Sequence, residues 1–135
     1  MPAVTASTDA LSAVALAAHA ALNKLATDLV ALDVSEHMPL TDIFFICSAR
    51  NERMAMSIAD AIEEALGEKG VRKLRQEGRS EGRWILLDFG DVIMHVFHEE
   101  ERLYYQLERL WRDCPVVSLP SHDQDGAGAK SSISL

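Results

Sequence analysis

Hydrophobic and polar positions change period several times along this chain, and each change marks an element. From Asp9 to about Thr27, Leu11, Val14, Ala18, Leu22 and Leu25 recur at helical spacing in an alanine-rich stretch, with Ser7, Thr8 or Asp9 as the N-cap. Residues 28–34 alternate weakly and predict a first strand. Pro39 then keeps helix out of the loop over 35–41. Asp42-Ile-Phe-Phe-Ile-Cys-Ser48 is nearly continuous apolar sequence, the pattern of a central strand covered on both faces. A second helix runs to about Lys69 with Met54, Ile58, Ala61, Ile62 and Ala65 on its apolar side. Residues 71–76 alternate with charges that suit an edge strand.

The strongest signal lies between Gly82 and His98, where two apolar runs flank a break at Asp88-Phe89-Gly90-Asp91. Runs rich in Ile, Val, Phe and Trp around a glycine-containing turn predict a β-hairpin. Pairing Asp88 with Asp91 divides it into two faces. Ile85, Leu87, Val92, Met94 and Val96 form a wholly apolar face that must be core. Trp84, Leu86, Asp88, Asp91, Ile93, His95 and Phe97 form a mixed one. Two facing aspartates repel, so folding gains nothing from them and the mixed face is expected to meet something. Phe89-Gly90 is not the pair a tight hairpin prefers, and a longer loop would move the register.

His98-Glu-Glu-Glu-Arg102 then opens a third helix, its acidic first turn suited to the helix dipole. Leu103, Leu107, Leu110 and Trp111 make its stripe, and Pro115 stops it. The expected organisation is a flexible start over 1–8, one domain over 9–117, and a disordered Gly/Ser-rich tail over 118–135. This order predicts a single small α/β domain with a mixed sheet of about five strands and helices packed on it.

Composition narrows the function. With 21 acidic against 13 basic residues the formal charge is −8, which opposes nonspecific nucleic-acid binding and favours a basic protein as partner. The only basic patch is Arg72, Lys73, Arg75, Arg79 and Arg83. Cys47 and Cys114 are the only cysteines, and Cys47 lies in an apolar run where a reduced, buried thiol is expected. No stretch approaches the ~18 apolar residues of a membrane span, and no signal segment opens the chain, so a soluble cytoplasmic protein is expected. Neither GxGxxG nor GxxxxGK[ST] occurs, and no GxSxG elbow. His95 and His98 fall on opposite faces of a strand and do not converge on a metal. Asp88 and Asp91 with magnesium leave one alternative open, a small nucleotidyltransferase-like enzyme.

Three blocks carry a resemblance over most of the chain, from about Leu11 to Pro115. Thr41-Asp-Ile-Phe-Phe-Ile-Cys-Ser48, then Glu81 through His98, then Arg102-x-Tyr104-x-x-Leu107-Glu108-x-Leu110-Trp111 closely resemble the ribosomal silencing factor family, the Iojap-related group. The family's usual tyrosine after the hairpin aspartate is Phe89 here, which keeps the ring and loses the hydroxyl. The resemblance implies a nucleotidyltransferase-like fold without catalysis, cofactor or metal. It also implies binding to the large ribosomal subunit through ribosomal protein fourteen, blocked subunit joining, and lower translation under nutrient limitation, with a homodimer possible when free. Carried onto this chain, the contact falls on Trp84, Leu86, Asp88, Phe89 and Asp91.

Overall fold

The computed structural model describes residues 4–120. α1 (Thr8–Asn23) begins at Ser7, whose hydroxyl accepts the Ala10 amide at 3.1 Å. Its alanines Ala10, Ala17, Ala18 and Ala21 are fully buried, so the helix lies close against its neighbours. It ends earlier than its stripe suggests, because Leu25 turns left-handed at φ +67 and stands 61% exposed. Just before it, the backbone of Thr5, Ala6 and Ser7 is held by two carboxylates further along the chain. Asp33 accepts the amides of Thr5 (2.6 Å) and Ala6 (2.8 Å), and Asp42 accepts that of Ser7 (2.8 Å).

β1 (Thr27–Asp33) pairs antiparallel with β2 (Ile43–Ala49), whose seven residues are all buried. α2 (Glu52–Glu68) follows, capped by Asn51. β3 (Arg75–Glu77) is a short, exposed edge strand, and β4 (Trp84–Asp88) and β5 (Val92–His98) form the hairpin. The sheet order is β1-β2-β5-β4-β3. Only β2 and β5 run parallel, side by side at the centre, so the sheet is mixed as expected.

Both long helices pack on one face of this sheet. There Ile43, Phe45, Ile85, Leu87, Met94 and Val96 are fully buried against α1 and α2. The other face carries Leu32, Val34, Phe44, Ile46 and Phe97, covered by Leu107, Trp111 and Cys114 of the C-terminal segment.

Two expectations need correction. In the hairpin, Asp88 stands opposite Ile93 rather than Asp91. The Phe89 amide donates to the Val92 carbonyl at 2.9 Å, leaving Gly90-Asp91 as the turn with Gly90 at φ +88. A glycine at the first central position is what a type II′ hairpin turn requires. The register therefore moves by two residues, and because side chains alternate with period two the expected faces survive for every strand residue.

The third helix is broken. α3 (Glu99–Tyr105) and α4 (Leu107–Leu110) are separated by Gln106, a left-handed residue at φ 49. The break turns Leu103 and Leu110 outward, 72% and 76% exposed, and leaves Arg102 as the buried residue of α3. Among the described residues no helix is long and apolar enough to cross a membrane. Most of the expected tail, 121–135, lies outside the described residues.

Candidate protein-binding face

β4 brings Trp84, Leu86 and Asp88, all half-buried, onto the sheet face opposite α1 and α2. Trp84 sits at the entry to the strand, where the 78–82 turn folds closely over the backbone. A Cβ on Gly78, at φ +77, would lie 2.0 Å from the Trp84 carbonyl oxygen, so no larger residue fits. The indole packs on Phe97 and on Tyr105 of α3, each with ring centroids at 4.8 Å. Tyr105 in turn meets Tyr104 edge-on at 4.9 Å. A continuous aromatic row thus leads from the hairpin onto α3, ending in Tyr104 at 79% exposure. Tyr104 and Tyr105 adjoin the candidate face through these ring contacts, which the helical spacing of α3 did not reveal.

The two aspartates do different work. Asp88 Oδ1 accepts the Gly90 amide at 2.8 Å and shapes the turn, while Oδ2 pairs with Arg75 Nε at 3.2 Å. Asp91 is exposed and borders the cavity between α1 and the turn, with Asp9, Lys69 and Val71. The pair does not converge, and among the described residues no three His, Cys, Asp or Glu side chains gather as metal ligands. Phe89 is not at the tip. It is 8% exposed within the helix-side core, because the turn lies one residue further along than expected.

His98 and Arg102 anchor α3 to the sheet. His98 Nδ1 accepts the Glu100 amide at 3.1 Å as the helix cap. Arg102 Nη1 donates to Ser48 Oγ at 2.9 Å, and its Nε pairs with Glu108 at 3.1 Å across the Gln106 break. Arg83 joins three elements by pairing with Glu52 of α2 and with Glu100 and Glu101 of α3. The basic patch is largely neutralised in the same way. Lys73 and Arg79 pair with Glu63, Arg79 also with Asp60, and Arg75 with Glu77 and Asp88.

Behind Trp84 lies His95, 5% exposed. Burial lowers its pKa from 6.5 to about 4, so the ring is neutral at ordinary pH. Burial also pushes the Cys47 thiol up to about 12, which leaves it without thiolate character. The face presents rings and an acidic hairpin end, an arrangement suited to contact with another macromolecule.

Comparison with known proteins shows the family. The family model described as "Ribosomal silencing factor during starvation" matches residues 7–134. Over 104 residues the chain is 41% identical to the ribosomal silencing factor RsfS of Bacillus subtilis, covering 77% of this chain and 88% of that protein. It is 33% identical over 125 residues to the chloroplastic protein Iojap of Zea mays, covering 91% of this chain and 54% of that one. A crystal structure from Bacillus halodurans is similar with a TM-score of 0.68 at 40% identity, over 77% of this chain and 94% of that one. One from Chromobacterium violaceum is similar with a TM-score of 0.73 at 30% identity, over 82% and 88%.

Proposed function

The chain belongs to the ribosomal silencing factor family, and on that premise we propose that it binds the large ribosomal subunit through ribosomal protein fourteen. Bound there, it obstructs joining of the small subunit and lowers translation when nutrients are scarce. It acts in the cytoplasm, by occupancy rather than by catalysis.

The contact surface in this reading is Trp84, Leu86, Asp88 and Asp91, with Phe89 supporting the turn from beneath. It continues through Tyr105 and Tyr104 to Leu103 and Leu110. The observation that carries the reading is the gathering of exposed large apolar side chains on α3 and α4, next to the half-buried Trp84. Leu103, Tyr104 and Leu110 are each more than 70% exposed. Exposed apolar side chains of this kind, on a chain of net charge −8, fit a partner with apolar and basic groups. Two free copies would cover the same surface, so self-association and subunit binding compete.

Sedimentation of purified subunits tests this. The protein is expected to travel with large subunits and not small ones, and to reduce their joining. Binding should weaken as salt rises, since exposed carboxylates facing basic groups are screened. Complete joining of subunits while the protein is bound in excess would overturn the proposal.

A further inference from the structure

The aromatic face contains one buried polar group with an unanswered donor. The Trp84 Nε1–H donates to His95 Nδ1 at 3.1 Å. A neutral imidazole that accepts at Nδ1 carries its proton on Nε2. Nε2 is buried and has no hydrogen-bond partner among the described residues. The rings of Phe44, Trp84 and Phe97 lie around the imidazole, with centroids 5.2, 6.1 and 6.3 Å from its own.

An unpaired buried donor weakens a fold, and a leucine at this position would pack without it. What the imidazole supplies and leucine cannot is the acceptor beneath the indole. Packing therefore does not account for the residue, and the hold on Trp84 does.

We propose that His95 is the positioning residue of the binding face. Its Nδ1 fixes the plane of the Trp84 indole and occupies the indole's only donor. The partner then meets Trp84 and Tyr105 as a ring surface and lays an apolar or guanidinium group over it, without hydrogen-bonding the indole. This rests on the functional reading above and specifies the chemistry of its central contact.

The experiment reads two quantities on the full chain and on His95→Leu and His95→Asn. One is hydrogen exchange of the Trp84 indole N–H by NMR, with the two indole signals assigned through Trp111→Phe. The other is affinity for purified large subunits. His95→Leu removes the acceptor and the orphan donor together, whereas His95→Asn keeps an acceptor near the Nδ1 position. His95→Leu is expected to unfold at the same temperature or higher, to exchange the indole proton faster, and to lose about tenfold in affinity, equivalent to about 1.4 kcal/mol. His95→Asn should recover both readouts to within about threefold of the parent, or ~0.7 kcal/mol. Should His95→Leu not fold, His95→Gln, whose amide lies nearer Nε2, gives the same contrast. Parent-like exchange or parent-like affinity in the variant lacking the acceptor overturns the proposal. If the parent itself fails to bind large subunits, the functional reading fails, and exchange alone decides whether His95 holds the indole.

Discussion

The two faces of the sheet solve the same burial problem with different materials. The face under α1 and α2 is closed and mostly aliphatic, with Ile43, Ile85, Leu87, Met94 and Val96 at zero exposure beside Phe45. The opposite face sets rings, Phe44, Trp84, His95, Phe97 and Trp111, among Leu32, Val34 and Ile46, and is covered by a broken helix pinned through Arg102 and Arg83. A closed aliphatic layer confers stability and offers nothing to a partner. A ring-rich layer under a short cover retains ring faces and edges that another molecule can meet. In the proposed function, folding draws mainly on one side of the sheet and recognition on the other.

Ile85→Ala on the closed face should break this division most severely. Truncating a fully buried isoleucine costs ~2–5 kcal/mol, measurable by urea denaturation, while the protein that remains folded should bind subunits as before. Equal losses of stability from Trp84→Ala would contradict the assignment of the faces.

Next in size is a pH effect confined to the ring face. Unfolded, His95 takes up a proton near pH 6.5; folded, it resists until about pH 4. Between these values the unfolded chain holds a proton the native one lacks, so stability falls as pH drops, by about 3 kcal/mol in total. Denaturation midpoints across that window should show the slope in the parent and not in His95→Leu. Cys47 on the closed face, neutral throughout, contributes nothing to it.

Trp84→Ala sharpens the recognition side. The indole is half-buried, so the folded chain should survive, while affinity for large subunits falls at least ~30-fold, or about 2 kcal/mol. The smallest effect is expected at the outer end of the row. Leu110→Ser should leave stability within ~0.5 kcal/mol and weaken binding about threefold, because its side chain stands in solvent until the partner covers it.

Much of the fold was legible from the chain. The burial of β2 followed from an unbroken apolar run, and the faces of β4 and β5 followed from alternation, which a two-residue slip in register does not disturb. The slip itself followed from Gly90-Asp91 acting as the turn pair, and it explains why Phe89 was assigned to a tip that it does not occupy. Gln106 could not be anticipated, since nothing about glutamine marks a left-handed residue, and helical spacing across it made Leu103 and Leu110 look buried. The Trp84–His95 bond was equally hidden. Both residues were assigned to the mixed face, but the direction of an indole N–H depends on the neighbouring rings rather than on the strand period.

The parallel pairing of β2 with β5 has a consequence for the birth of the protein. Thr41 at the entry to β2 bonds the carbonyl of Gly90, which lies 49 positions further along the chain. As the polypeptide emerges residue by residue, β2 has only β1 beside it, and its other edge waits until the hairpin has been synthesised. Contacts this far apart in sequence close late and make folding slow. The ring-rich face takes three of its five rings from β4 and β5 and its cover from α3, α4 and the segment to Cys114, so it depends on the last part of the chain. A nascent chain that ends before β5 therefore lacks the centre of its closed core and rings of the opposite face alike.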